Sequence, residues 1–280
     1  MKRVALIGYG YWGPNLLRNL FDTDNCEVIY CCDLLENNLK KVNKRYPSAI
    51  TTSDLNQVLN DDSIDGVVIA TPTRTHYDIA QKALNKGKDV LIEKPFAMNV
   101  LEAEKLVQLA KNKKRILMVD HTFLFNDAVI KIKALIDKGD LGEILYIDSV
   151  RANLGLFQSD VNVIYDLASH DFSIINFLLD SKPQWVSAIG EAHYNSQEDI
   201  AYITARYKNI LAHVHVSWLS PLKLRRMLIV GTEKMLVYDD VESAEKIKIY
   251  DKGIFKKDLG EQEKEQISIG YRSGDALLPK

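Results

Sequence analysis

The stretch Val4-Ala5-Leu6-Ile7-Gly8-Tyr9-Gly10-Tyr11-Trp12-Gly13-Pro14 decides the fold of this chain. An apolar run enters a G-x-G-x-x-G turn, and the segment behind it carries Leu16, Leu17, Leu20 and Phe21 at helical spacing. The order is strand, tight turn, helix. In a dinucleotide site each glycine of such a turn serves its own purpose. Gly8 allows the sharp turn, Gly10 lets backbone approach a pyrophosphate, and Gly13 lets the helix pack close to the strand. Free N–H groups at the helix start face the phosphates, and Pro14 suits a first-turn position that needs no N–H of its own. Glycines in a βα turn are often only structural, so the second strand, Glu27 to Asp33, supplies the discriminating residue. Asp33 stands about 20 residues past Gly13, where the acceptor for a ribose hydroxyl belongs. Its competing role is to cap the next helix. Tyr9, Tyr11 and Trp12 either wall the cofactor site or pack the turn.

Composition narrows the class. With 280 residues, 46% apolar and 26% charged, the chain has room for two domains, each with its own core. Its 36 basic residues against 38 acidic ones give a net charge of −2, which argues against nucleic acid or a membrane surface as partner and for a small molecule. No apolar run is long enough for a membrane span and the N-terminus reads as a core strand, so the cytoplasm is the expected compartment. Cys26, Cys31 and Cys32 lack metal or redox spacing and read as reduced packing residues.

Along the chain, strands are expected near 27–33, 49–51, 64–70, 89–92 and 115–119, separated by helices. Asp54 and the pair Asn99/Glu102 give helix-start signals. The expected architecture is α/β, with a doubly wound parallel sheet over residues 1–120 whose ligand lies beyond the carboxyl ends of its strands. Gly8, Thr71 and Glu93-Lys94-Pro95 fall there. Beyond Asp120 the pattern changes to a helix at 127–138, a strand at 144–152, an irregular stretch, a helix from about Tyr165 to Leu179, and then short strands from Trp185 to Tyr250. Residues 121–280 are therefore expected to form an α+β domain with one large, mainly antiparallel open sheet, and the polar tail 260–280 to be poorly ordered.

In Tyr165-Asp166-Leu167-Ala168-Ser169-His170, Asp166 and His170 are four residues apart, so a carboxylate and an imidazole share one helical face. That is a general-base arrangement, or else a plain surface pair. His213 and His215 share one strand face, but with no third ligand at useful spacing a polar interface face is the better reading and no metal is expected.

Gly8-Tyr9-Gly10-Tyr11-Trp12-Gly13, Ala70-Thr71-Pro72 with His76, Glu93-Lys94-Pro95, and Asp166 with His170 together resemble the Gfo/Idh/MocA family of sugar and inositol oxidoreductases, over residues 1 to about 250. The resemblance implies NAD-dependent oxidation of a sugar-type secondary alcohol, and a homodimer or homotetramer built on the C-terminal sheet. It implies cofactor contacts from Gly8, Gly10, Tyr11, Trp12, Gly13, Asp33, Thr71, Pro72, His76, Glu93, Lys94 and His121. Substrate contacts are implied for Lys94, Asn126, Asn162, Tyr165, Asp166 and His170, with Lys94, Asp166 and His170 catalytic and the Lys94-Pro95 bond cis. The run Gly155 to Asp166 and the Trp12-Gly13-Pro14-Asn15 variant are most similar to members acting at C3 of nucleotide-linked N-acetyl sugars for surface polysaccharide synthesis, with inositol or free sugars second and a non-catalytic NAD-binding regulator as the reading from another class. The chain departs from the family pattern at Ser173, where many members carry a further acid, and in lacking the helical return that follows the sheet in longer members, which puts truncation of the C-terminus in view.

Overall fold

In the computed structural model, which describes residues 1–155, 157, 160–256 and 269–278, the chain divides into two units, Met1–Asp120 and His121–Lys280. The first is built on β1 (Lys2–Ile7), β2 (Cys26–Cys32), β3 (Ile50–Thr52), β4 (Gly66–Ile69), β5 (Asp89–Ile92) and β6 (Leu117–Val119). They pair in the order β3-β2-β1-β4-β5-β6, every pair parallel. Strand order reverses between β1 and β4, so the carboxyl ends of these strands form the switch point where such sheets take ligands. Helices α1 (Gly13–Asp22), α2 (Glu36–Arg45), α3 (Leu55–Leu59), α4 (His76–Asn85) and α5 (Val100–Lys113) make the connections. Leu6 and Val68 pack with Leu17 and Val42, whereas Ala5, Ile7 and Ile69 pack with Ala80, Leu84 and Leu106. Burial on both faces explains why β4 has no polar alternation. Asp54 accepts from Asn56 N at 2.8 Å and Asn99 from Glu102 N at 2.9 Å, so the expected caps hold their helix starts. Burial pushes the thiols of Cys31 and Cys32 up to about 12 and about 11, which suits packing and not nucleophilic chemistry.

In the second unit α6 (Asp127–Asp137) and α7 (Ser169–Leu179) cover one face of a sheet. Its strands are β7 (Ile144–Leu154), β8 (Trp185–Glu191), β9 (Ile200–Tyr207), β10 (Ile210–Ser217), β11 (Leu219–Gly231), β12 (Met235–Asp239), β13 (Ile247–Lys256) and β14 (Ile269–Leu277), in the order β14-β13-β12-β11-β7-β10-β9-β8. Val129, Ile132, Ile174 and Leu178 meet Ile147, Ile203, Val214 and Ile229 in its core. Among the described residues no helix is long and apolar enough to cross a membrane.

The sheet is mainly antiparallel, as expected; among the described strands β7–β10 is its one parallel pair, the chain passing from β7 through α7 and the β8–β9 hairpin to β10. The structure corrects the sequence reading of this unit in three places. Strand β11 starts at Leu219; Pro221 falls in the register shift between Leu219 and Leu224, where its missing donor costs no ladder bond. The helix expected from Tyr165 opens instead as a wide π turn, Ile164–Ala168, before α7. Of the tail expected to be poorly ordered, 260–268 and 279–280 lie outside the described residues, and 269–277 pairs antiparallel with β13; an edge strand is held by backbone pairing, which polar composition does not report.

Candidate functional site

At the switch point the glycine loop has the shape its motif requires. Gly8 has φ +99°, and a Cβ there would stand 2.5 Å from Ala70 O. A Cβ on Gly13 would stand 2.5 Å from Gly8 O, so only glycine brings α1 this close. Gly10 has nothing within 4 Å of where its Cβ would be, which leaves a bare backbone that a pyrophosphate can approach. Among the described residues no side chain caps α1 and no acid stands in its first turn, so its N-terminal dipole is available to an anion. These observations fit a dinucleotide. Tyr9 packs in the core, while Tyr11 and Trp12 stack on each other at 6.5 Å and are exposed, so of the turn's aromatics only Tyr9 packs the turn.

Asp33 does more than hold the next helix. Its Oδ2 accepts from Tyr9 N at 2.6 Å, fixing the glycine loop, and its Oδ1 accepts from Leu35 N at 2.8 Å and Asn38 Nδ2 at 3.2 Å, fixing the start of α2. A carboxylate has about four acceptor positions, so one remains for a ribose hydroxyl. Asp33→Ser is expected to bring the dissociation constants for NADH and NADPH about tenfold closer, ~1.4 kcal/mol, as read by fluorescence titration. Equal binding of both dinucleotides by the unaltered protein would refute this role.

His76 is 1% exposed; Nδ1 lies 2.9 Å from Pro95 O and Nε2 2.8 Å from Thr71 O. It thus braces the segments after β4 and β5, a role different from the cofactor contact expected of it. The Lys94-Pro95 peptide is cis. Glu93 Oε2 accepts from Lys94 N at 3.1 Å, and burial, with the neighbouring Asp120 carboxylate second, pushes the Glu93 carboxyl up to about 8. Because this lies above the unfolded value of 4.5, the stability tied to the bound proton is complete below about pH 4.5 and is lost as pH rises through about 8. Glu93→Gln is expected to raise the melting temperature at pH 8 and leave it nearly unchanged at pH 4.5, by roughly 2–4 °C per kcal/mol regained; equal shifts at both pH values would count against the assignment. Thr71 and Lys94 are half-buried and Pro72 is exposed at these strand ends.

In the second unit Asp166 lies in the π turn, and its Oδ2 accepts from Trp218 Nε1 at 3.0 Å. Trp218, 1% exposed, follows β10 and fixes this carboxylate one turn before His170. The imidazole of His170 meets the ring of Phe123 edge to face at 4.9 Å. Phe123 belongs to the 3-10 turn Thr122–Phe125, which His121, half-buried, precedes. The Arg151 guanidinium lies over Phe123 at 4.5 Å and bonds the buried Asp171 through Nε at 2.8 Å, and Ser149 Oγ donates to the same carboxylate at 2.7 Å. Asn126 caps α6, accepting from Ala128 N at 2.9 Å, and Asn162 accepts from Tyr165 N at 3.1 Å while donating to Glu198 at 2.8 Å, so the structure shows these two in supporting bonds. Tyr165 is exposed. His213 bonds Asp148 and His215 stacks on Tyr202 at 4.4 Å; among the described residues no group of His, Cys, Asp or Glu could hold a metal.

Two family profiles match the chain: the oxidoreductase family with NAD-binding Rossmann fold over residues 2–121, and the GFO/IDH/MocA C-terminal domain over 129–237. The chain belongs to the Gfo/Idh/MocA family. NAD is accordingly the dinucleotide for the loop of Gly8, Gly10 and Gly13. This Gfo/Idh/MocA chain is similar to an oxidoreductase assigned in Magnetospirillum magnetotacticum MS-1, at 30% identity and a TM-score of 0.80, with 89% of this chain and 80% of that one covered. It shares the fold of the UDP-N-acetylglucosamine 3-dehydrogenase of Acidithiobacillus ferrooxidans, with a TM-score of 0.78, 22% identity, and 99% and 84% covered. It is 25% identical to inositol 2-dehydrogenase of Salmonella typhimurium over 64% of this chain and 54% of that one. The chain spans 42–60% of the length of the curated oxidoreductases of Escherichia coli and Streptococcus pneumoniae that it matches. Trp218, Phe123 and Arg151 have no signal in the sequence, since nothing local ties them to Asp166 or His170.

Proposed function

We propose that this Gfo/Idh/MocA chain is an NAD-dependent dehydrogenase that oxidises a secondary hydroxyl of a sugar, at C3 of a nucleotide-linked N-acetyl sugar. The observation that carries the reading is the Asp166 carboxylate held by buried Trp218 one turn before His170. Bound NAD supplies a hydride acceptor. His170 takes the hydroxyl proton, Asp166 stabilises the resulting imidazolium, and Lys94 donates to the oxygen that becomes the carbonyl. A non-catalytic regulator would have no use for this trio, and all three residues stand. The run 155–166 and the fold shared with the UDP-N-acetylglucosamine 3-dehydrogenase support the nucleotide sugar. The inositol 2-dehydrogenase relatives favour the second reading, a polyol. The deciding experiment is NADH formation from UDP-N-acetylglucosamine against myo-inositol: turnover of inositol alone moves the substrate to the polyol class, and NAD binding without turnover of either supports the regulator.

The same reading includes a homodimer or homotetramer formed by the sheet face opposite α6 and α7. Tyr146, Tyr202 and Leu211 are exposed there at 41–44%, around His213, which bonds Asp148, and His215, whose pKa burial lowers. A mixed apolar face of this kind fits a partner better than water. Light scattering at micromolar concentration is expected to give a multiple of the 31.8 kDa chain mass, and a monomer would refute it.

A further inference from the structure

We infer that Phe123 is the positioning residue of His170, and that the buried Arg151–Asp171 pair acts through it. The inference rests on the reading of His170 as base. His170 and Asp171 are successive residues in the first turn of α7, and each is held by the same cluster. Asp171 is gripped by Arg151, their side chains 3% and 4% exposed. The Arg151 guanidinium lies 4.5 Å from the centre of the Phe123 ring, and that ring meets the His170 imidazole at 4.9 Å with an interplanar angle of 68°. The contacts form a closed circuit: His170 to Phe123, Phe123 to Arg151, Arg151 to Asp171, and Asp171 back to His170 along the helix. Arg225 adds a second guanidinium 5.7 Å from the same ring, itself paired with Asp240 at 3.3 Å.

A histidine that must present one nitrogen to a hydroxyl needs its ring plane fixed, because rotation about the ring bond is otherwise broad. Hydrogen bonds fix position along one direction, whereas an edge-to-face aromatic contact fixes the tilt of the plane. Phe123 can do this only if it is itself immobile, and the Arg151 cation over its face, anchored by a carboxylate and Ser149, makes it so. Asp171 thereby stands in a different relation to His170 from Asp166: it sets where the ring is, not what charge the ring carries.

The test uses the full chain with Phe123→Leu, Phe123→Tyr and His170→Ala. The His170 ring-proton resonance, assigned by its loss in His170→Ala, is expected to move in Phe123→Leu as the ring current disappears and to stay close to its original position in Phe123→Tyr; this needs no substrate. With UDP-N-acetylglucosamine or myo-inositol, whichever the unaltered protein oxidises, Phe123→Leu is expected to lower kcat about 10- to 100-fold, leave KM for NAD unchanged, and add nothing in the His170→Ala background. Phe123→Tyr should restore most of kcat. A resonance that does not move, or a kcat within twofold of normal in Phe123→Leu while His170→Ala is inactive, overturns the inference and spares the base reading. Normal turnover in His170→Ala overturns both.

Discussion

His170→Ala is expected to lower turnover by about 10²- to 10⁴-fold while NADH binding, followed by fluorescence, stays unchanged. Oxidising a secondary alcohol removes the hydroxyl proton as hydride departs, and imidazole is the side chain whose ordinary pKa, about 6.5, suits that transfer near neutrality. The site contributes more than the imidazole itself: Asp166 is fixed by Trp218 and the ring by Phe123, so little reorganisation accompanies the charge that forms. Lys94 is the competing base. The two assignments separate by pH profile. If His170 is the base, its replacement abolishes the acid limb of kcat, whereas Lys94→Ala lowers both turnover and substrate affinity and keeps that limb. Near-normal turnover in His170→Ala with an unchanged acid limb would give the base role to Lys94.

Asp171→Ala is expected to destabilise the protein by about 3–5 kcal/mol, measured as a shift of the urea midpoint. Both members of the Arg151–Asp171 pair are almost wholly buried, so removing the carboxylate strands a guanidinium with no water to solvate it. The Ser149 hydroxyl loses its nearer acceptor in the same step and keeps only Arg226 O at 3.5 Å. The double replacement Arg151→Met with Asp171→Leu removes both charges and should recover most of the loss, because the pair's worth lies less in net attraction than in the cost of breaking it. Equal destabilisation by the single and double variants would show that volume, not charge, is at stake.

What the sequence makes legible is local. The glycine loop and Asp33 announce themselves because turn, helix start and strand end fall within one βα unit, and the apolar run over β4 reports burial on both faces. The Asn99 cap is readable three residues from its partner. Asn126 carries the same signal, standing directly before Asp127 at a helix start, yet its place after the last parallel strand draws it among the expected substrate contacts. The contacts around Asp166 and His170 are not legible. Trp218 lies 52 residues from Asp166, and Arg151 20 from Asp171, and such pairs are joined by the packing of a helical segment on the sheet, which periodicity does not encode. The π turn at Ile164–Ala168 is hidden for a related reason: its residues satisfy an ordinary helical pattern, and only the backbone bonding distinguishes it.

The three bonds of Asp33 have a bearing on how this chain could change over evolutionary time. One carboxylate shapes the phosphate loop through Tyr9, opens α2 through Leu35, and keeps an acceptor position for the ribose. If Asp33 sets dinucleotide preference as expected, that preference and loop integrity are inherited together. A lineage drifting toward a phosphorylated dinucleotide has to shed the negative charge without losing the acceptor, which favours a passage through asparagine or serine before any arginine appears nearby. The neighbouring Leu34, whose side chain is exposed, is where that arginine can arise at least expense to the fold.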